Sequence, residues 1–202
     1  MRSAIREEVA SIDPFDRLER AHCEDALAWI DSGAELCRIE RPANPPKHLV
    51  SYFVLVDHDH VLLVDHKNAQ LWLPSGGHVE PGEHPRATVA RELREELGLE
   101  LADTPRAPLM LTSAETVGAT AGHTDVSLWY VIDADRGAPL TFDTTEFHSA
   151  RWFHFNEAPV FRSDPHLARF LGKLALTSHS TRPRAKTRAA GLTAALGGLC
   201  HR

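Results

Sequence analysis

A charged loop and helix over residues 77–99 constrain this chain most; the sequence there is GHVEPGEHPRATVARELREELGL. Glu92, Glu95 and Glu96 fall within one helical turn, because residues three and four apart share a face of an α-helix. The same helix carries a separate apolar stripe, formed by Val89, Leu93 and Leu97. Carboxylates this close repel each other, and a hard divalent cation with oxygen ligands would relieve the repulsion. The stretch therefore predicts a metal site for phosphate chemistry on an amphipathic helix.

Apolar runs on both sides of this stretch predict the strands of a sheet. Residues 49–57 and 61–65 are rich in β-branched and aromatic side chains, and the short polar segment between them predicts a hairpin. Further strands are predicted over residues 71–73, 107–116, 126–133 and 151–155, and a helix from Asp164 to about Leu176. Ser75, Gly76 and Gly77 predict a loop in which the backbone approaches a ligand closely.

The DHDH segment at residues 57–60 has the composition of a metal site. Consecutive residues of a strand point to opposite faces, so few of these side chains converge on one ion. The segment is therefore interpreted as a turn.

The chain is predicted to comprise three parts. Residues 1–46 form a helical extension with a proline-rich linker, 47–177 the catalytic domain, and 178–202 a basic and flexible tail. Within the extension, residues 4–33 predict helices and 34–40 a short edge strand. An apolar stripe is predicted on the second helix, formed by Phe15, Leu18, His22, Ala26 and Trp29 and widened by Leu27 and Ile30. This stripe packs on its own domain, or serves as a homodimer element or a wall of the substrate pocket.

Composition limits the function classes. The net charge of −6 argues against a general binder of nucleic-acid polymers. The three cysteines are far apart and contain no C-x-x-C pair, which is typical of a reduced, cytoplasmic protein rather than a disulfide framework. No apolar run has the roughly 18–20 residues that span a membrane, and the N-terminus has no apolar core of a signal peptide, so no membrane partner is expected.

Residues 77–99 resemble the signature of the Nudix hydrolases, G-x5-E-x7-R-E-U-x-E-E-x-G-U, where U is aliphatic. Every defined position matches, with Gly77, Glu83, Arg91, Glu92, Leu93, Glu95, Glu96, Gly98 and Leu99. The order of strands and helices is also similar over roughly 47–176. The resemblance implies an α/β fold, an α/β/α sandwich around a mixed sheet, with the N-terminal helices as an addition. It also implies Mg²⁺- or Mn²⁺-dependent cleavage of a nucleoside diphosphate linked to another moiety.

The resemblance also implies roles for the acidic residues. Glu95 and Glu96 would be metal ligands, and Glu92 would be a ligand or the general base. Glu83 would assist metal binding, and the carbonyl of Gly76 would contribute an oxygen. Such a site suits a diphosphate, because cations neutralise its charge and activate water while a carboxylate accepts the proton.

Further catalytic residues are expected inside and outside the signature. Arg91 would orient a catalytic glutamate. Similar enzymes recruit another acid from a later loop, for which Glu115, Asp125 and Glu146 are candidates, and Glu146 is preferred because it precedes the last strand.

Substrate contacts need an aromatic plate and polar groups near the signature loop. The residues chosen are Gly77, His78, Trp72 and Tyr52. His48 and His123 are further candidates for contacts to phosphates or a base edge. Core packing is the competing interpretation for the aromatic residues.

Two other functions compete with hydrolysis of a small-molecule nucleotide. A non-catalytic, nucleotide-sensing protein of the same family would be favoured by degenerate signature glutamates, and these are intact. An isomerase of prenyl diphosphates shares the fold but needs a nucleophilic cysteine near the active site. Cys23, Cys37 and Cys200 all lie outside the predicted catalytic domain.

Overall fold

The computed structural model describes residues 1–40, 44–116, 122–178 and 185–189. The strands found there are β1 (Lys47–Asp57), β2 (His60–His66), β3 (Leu71–Leu73), β4 (Ser75–His78), β5 (Leu99–Leu101), β6 (Met110–Glu115), β7 (Thr124–Asp133), β8 (Phe147–His154) and β9 (Ala185–Ala189). The α-helices are α1 (Arg2–Ala10), α2 (Arg17–Asp31), α3 (Pro85–Leu97) and α4 (Leu167–Ser178). Two short 3₁₀ turns, Phe155–Glu157 and Val160–Arg162, precede α4.

The strands form one mixed sheet with the order β3-β2-β1-β7-β9-β5. In addition, β4 pairs with β1, β6 with β7, and β8 with β2. The central pair, β1 and β7, is parallel, and its register sets Lys47 beside Thr124 and Val56 beside Asp133. The β1–β2 hairpin is antiparallel and turns at the DHDH segment, as predicted.

Buried side chains form one layer on each face of the sheet. On one face, α1, α2 and α3 contribute to a cluster that includes Phe53, Leu93 and Tyr130. On the other face, α4 packs through Phe170 against Trp129, with the two rings stacked 5.0 Å apart. This arrangement is the α/β/α sandwich that the resemblance implied. None of the helices in the described ranges is long and apolar enough to cross a bilayer.

The helix α2 lies against β6 and is joined to α4 by ion pairs. Glu19 of α2 is fully buried, and its carboxylate accepts hydrogen bonds from the Lys173 ammonium at 2.7 Å and from the Leu111 amide at 3.3 Å. Asp16 caps the start of α2 and pairs with Arg169 of α4 at 2.6 Å. These contacts fix α2 against α4 and the strand β6 of the sheet.

Three details differ from the sequence-based expectations. Ala26 and Ile30 of the predicted α2 stripe are buried, but Leu18 is 47% exposed and Glu19 and Cys23 are buried instead, because pairing with Lys173 lets a charged residue occupy the buried face. Residues 34–40 form no strand; only an isolated bridge joins Glu40 to Asn44. The predicted loop at residues 75–77 is the strand β4, paired with β1.

The predicted tail, residues 178–202, is only partly described. Ser178 ends α4, and residues 185–189 form β9, a short strand between β7 and β5. The remainder of the expected tail, and part of the linker at 41–43, lie outside the described residues.

Candidate active site

The strand β4 brings the backbone of the signature loop against helix α3. Gly76 has a φ of +146°, and an added Cβ would lie 2.1 Å from the carbonyl oxygen of Ser51. An added Cβ on Gly77 would instead lie 1.9 Å from Oε1 of Glu92. Glycine is therefore required at these two positions for different reasons: at Gly76 by the fold and at Gly77 by the space that Glu92 occupies.

The guanidinium of Arg91 is the hub of the signature residues. It donates to both carboxylate oxygens of Glu83 at 3.1 Å, to Glu92 at 2.6 Å and to Glu95 at 3.4 Å. It also donates to the backbone carbonyl of His78 at 3.2 Å. Bidentate and charge-assisted bonds of this kind fix side-chain orientation. Arg91 therefore connects three signature glutamates to the strand β4.

Glu83 lies in the loop before α3, where several donors converge on its carboxylate. Besides Arg91, the hydroxyl of Thr88 donates to it at 2.7 Å and the amide of Glu80 at 3.2 Å. Although burial opposes the effect, these hydrogen bonds hold the pKa of Glu83 below its usual value. Glu83 is thus a fixed anion at the rim of the site.

Glu92 and Glu96 are the more buried carboxyls of the helix. Burial raises the pKa of Glu92, against the opposing effect of Arg91. Burial also raises the pKa of Glu96 to about 9, and the charge of Glu92 adds to this effect. The amide of Gly76 donates to Oε2 of Glu96 at 3.0 Å and fixes that side chain. Crowded acids with raised pKa values are typical of catalytic sites.

Among the candidate acids outside the signature, Glu146 is the one whose charge acts on the signature glutamates. Its charge contributes to the raised pKa of both Glu92 and Glu96. Glu115, by contrast, is an exposed residue at the end of β6. Asp125 lies on β7 among histidine side chains rather than among the glutamates.

The aromatic candidates for substrate contact lie at the edge of the core beneath α4. Tyr52 packs edge-on against Trp129, with ring centroids 5.1 Å apart. Trp72 packs edge-on against Phe153 at 5.0 Å, and its carbonyl accepts a hydrogen bond from the Ser163 hydroxyl. Both side chains are partly exposed, so they serve packing and still present a surface near β4. Their role toward substrate stays a prediction.

A family model for the NUDIX domain matches residues 46–174, well over half of the chain. The chain belongs to the NUDIX family. The matched range contains the complete signature together with β1 to β8 and most of α4. Membership of this family supports a pyrophosphohydrolase.

A sequence relative of this NUDIX protein is the NAD-capped RNA hydrolase NudC of Stutzerimonas stutzeri (strain A1501). The two are 33% identical over 108 residues, which is 53% of this chain and 36% of NudC. The matched region thus spans about a third of that relative's length.

Solved structures share the fold at low sequence identity. The MutT NUDIX hydrolase from Burkholderia pseudomallei has a TM-score of 0.52 at 24% identity, covering 63% of this chain and 98% of that one. The MutT protein from Methanosarcina mazei Go1 has a TM-score of 0.54 at 16% identity, covering 65% and 94%. These likenesses show the NUDIX fold.

Next to the NUDIX signature lies a group of side chains whose convergence the sequence did not reveal. We call it the histidine cluster, and it consists of His48, His78, His123 and Asp125. Burial, together with the nearby Arg38, lowers the pKa of His78 to about 4, so this imidazole is neutral at neutral pH. From the sequence, each of the three histidines is a separate candidate for contact with substrate. What joins them is the parallel pairing of β1 with β7, which sets His48 beside Asp125 and which no local pattern predicts.

Proposed function

We propose that this NUDIX protein is a divalent-metal-dependent pyrophosphohydrolase that cleaves a nucleoside diphosphate linked to another moiety. The observation that supports it best is the Arg91 hub, in which one guanidinium bonds Glu83, Glu92 and Glu95 beside the buried Glu96. A merely solvated, salt-bridged helix has no reason to place a carboxyl such as Glu96 in the interior.

The residues present suit a hard divalent cation. The donors are carboxylate oxygens, which Mg²⁺ and Mn²⁺ prefer over nitrogen or sulfur. Glu96 and Glu95 would hold the ion, with help from Glu83 and the carbonyl of Gly76, and Glu92 would be a further ligand or the general base. Burial is the main cause of the raised pKa of Glu96 and the charge of Glu92 adds to it, and a bound cation would favour the anionic form against both effects. Such a cation supplies charge neutralisation for the diphosphate and activates water.

Each remaining residue then has a distinct task. Glu92, whose pKa is raised by burial, is suited to accept the proton of the attacking water. Arg91 fixes the orientation of Glu92 through a 2.6 Å hydrogen bond. Glu146, whose charge acts on both Glu92 and Glu96, adds negative charge that strengthens cation binding or accepts the proton in place of Glu92.

The substrate class extends to small nucleotides with a diphosphate bridge, either nucleoside triphosphates or nucleoside diphosphates joined to a sugar or alcohol. The relative NudC is described as acting on NAD-capped RNA, in which a diphosphate joins two nucleosides. Dinucleotides of this kind therefore belong among the candidates. Gly77, His78, Trp72 and Tyr52 are the proposed contacts to substrate.

The test is a substrate panel measured with Mg²⁺ and with Mn²⁺. The panel contains nucleoside triphosphates, nucleoside diphosphate sugars and alcohols, NAD and NAD-capped RNA, and the products are separated by chromatography. Turnover of at least one member with release of a nucleoside monophosphate supports the proposal. Binding of a nucleotide by folded protein without any turnover would refute it and favour a nucleotide-sensing role.

Variants connect any activity to the glutamates. Glu92→Gln and Glu96→Gln preserve side-chain size but remove the anion, and each is expected to lower kcat by at least about 100-fold. Glu24→Gln, on the exposed face of α2, is the matched control and should retain full activity. If both site variants hydrolyse the substrate at the wild-type rate, the assignment of the site is wrong.

A further inference from the structure

The histidine cluster gathers four metal-binding side chains around one point. Oδ1 of Asp125 lies 3.3 Å from Nε2 of His48, 3.3 Å from Nε2 of His123 and 3.8 Å from Nε2 of His78. All four ligand atoms lie within 4.8 Å of one another. The cluster spans β1, β4 and β7 and the segment just before β7, so tertiary structure rather than sequence proximity assembles it.

Two buried acceptor atoms of the cluster face each other without a hydrogen-bond donor from the described residues. Nδ1 of His48 lies 2.8 Å from the carbonyl oxygen of Pro45, and because a carbonyl only accepts, this nitrogen carries the hydrogen. In neutral His48, Nε2 therefore presents a lone pair to the Asp125 carboxylate. His48 is fully buried, and among the described residues neither its Nε2 nor Oδ1 of Asp125 has a hydrogen-bond partner. Two facing acceptors without a donor between them call for a cation.

The distances from Asp125 to two of the histidines match the ligand spacing of a tetrahedral metal centre. Four ligands at about 2.1 Å from an ion lie roughly 3.4 Å from one another. From Oδ1 of Asp125, the nitrogens of His48 and His123 lie at 3.3 Å and that of His78 at 3.8 Å, and every separation among the four atoms is within 4.8 Å. Asp125 is therefore at ligand spacing from His48 and His123, whereas the His78 imidazole must move closer when an ion binds.

Outer hydrogen bonds orient the ligands, as is typical of metal-binding histidines. The carbonyl of Pro45 holds His48, and the hydroxyl of Thr116 lies 3.1 Å from Nδ1 of His123. His78 differs, because its Nε2 lies 3.3 Å from a guanidinium nitrogen of Arg38. His48, His123 and Asp125 would thus be the principal ligands of an ion, and His78 would complete the tetrahedron by exchanging Arg38 for it.

We propose that the histidine cluster binds one transition-metal ion of the zinc class, separately from the hard cation of the glutamate site. Three imidazoles with one carboxylate favour Zn²⁺, Co²⁺ or Ni²⁺ over Mg²⁺. The ion cross-links β1, β7 and the signature strand β4. Since the carbonyl of His78 accepts a hydrogen bond from Arg91, the ion would also restrain strand β4, to which Arg91 connects the signature glutamates.

Cobalt titration tests the proposal independently of hydrolysis. Full-length protein is stripped with a chelator, given excess Mg²⁺ to fill oxygen sites, and titrated with Co²⁺, whose visible spectrum distinguishes tetrahedral from octahedral ligation. We expect an intense tetrahedral band that saturates at one ion per chain and disappears when Zn²⁺ is added. Asp125→Asn, isosteric and at a partly exposed position, and His123→Gln should each weaken Co²⁺ binding by at least about 100-fold.

Two controls separate this site from others. His154→Gln changes a second histidine–aspartate group, in which His154 and His60 both lie near Asp59, and it should leave the band unchanged. Glu96→Gln should also leave it unchanged, because that residue belongs to the oxygen site. Absence of a tetrahedral band, or a band that persists in folded Asp125→Asn and His123→Gln, overturns the proposal. So does a band that is lost in Glu96→Gln.

Discussion

Gly77→Ala is expected to lower the catalytic rate while leaving the stability of the fold almost unchanged. The added methyl would lie 1.9 Å from Oε1 and 2.5 Å from Cδ of Glu92, whereas ordinary contacts begin near 3.4 Å. The carboxylate must therefore move by about 1.5 Å, away from its 2.6 Å hydrogen bond to Arg91. The φ of Gly77 is not in the left-handed region, so alanine causes no backbone strain there.

The expected consequence is a loss of kcat rather than a loss of folding. Misplacing a reacting group by 1 Å costs on the order of 100-fold in rate, so we expect kcat to fall by about that factor. KM should change little if Glu92 acts mainly in the transition state. The unfolding free energy should fall by less than about 1 kcal/mol, because the partly exposed Glu92 side chain can rotate toward solvent. Steady-state kinetics with the substrate found by the panel, and urea unfolding, measure the two effects.

Gly172→Ala is the matched control for this substitution. Gly172 lies in α4, and an added Cβ would make an ordinary contact at 3.5 Å with the ring of Phe15. Alanine in place of a helical glycine should preserve activity and raise stability by about 0.5–1 kcal/mol. Wild-type kcat in Gly77→Ala, or a crystal structure of that variant with Glu92 unmoved, would refute the reasoning.

Three further predictions concern folding. Gly76→Ala should yield little folded protein in expression and circular dichroism, because φ is +146° and the methyl would strike backbone 2.1 Å away; a wild-type spectrum would contradict this. Lys173→Ala leaves Glu19 buried without its cation and should cost about 3–5 kcal/mol in urea unfolding, and a loss below 1 kcal/mol would be inconsistent with a buried pair. Hydrogen bonds from Arg169 lower the pKa of Asp16 to about 2, below its unfolded value near 3.9. Their stabilisation is therefore present above pH 4 and lost as pH falls toward 2; unfolding of wild type and Arg169→Gln should converge over that window, and a constant difference would refute it.

The sequence predicted most of what local patterns control. The apolar stripe of α3, with Val89, Leu93 and Leu97 all fully buried, follows directly from helical periodicity. Glu92 and Glu95 of the same helix both accept hydrogen bonds from Arg91, as their helical spacing allows. The hairpin turn at 58–59 also followed from local sequence, because turn residues separate two apolar strands.

Long-range pairing explains what could not be predicted. Glu19 interrupts the apolar pattern of α2, and only its partner Lys173, 154 residues away, makes a buried carboxylate tolerable there. The strand β4 was predicted to be a loop because a serine followed by two glycines has low β-propensity, and it becomes a strand through pairing with β1. Likewise, residues 185–189 pair with β7 and β5, although their composition suggested a flexible tail.

His78 connects the two sites of the molecule through opposite ends of one residue. Its backbone carbonyl accepts a hydrogen bond from Arg91, which orients the glutamates, and its imidazole lies in the histidine cluster. The neighbouring Gly76 and Gly77 hold Glu96 by an amide and make room for Glu92. Three consecutive residues of β4 thus contact both groups of ionisable side chains. Displacement of this strand would therefore disturb both at once, whereas changes to His123 or Glu96 act on one of them, which is why those variants can distinguish the proposed metal ions.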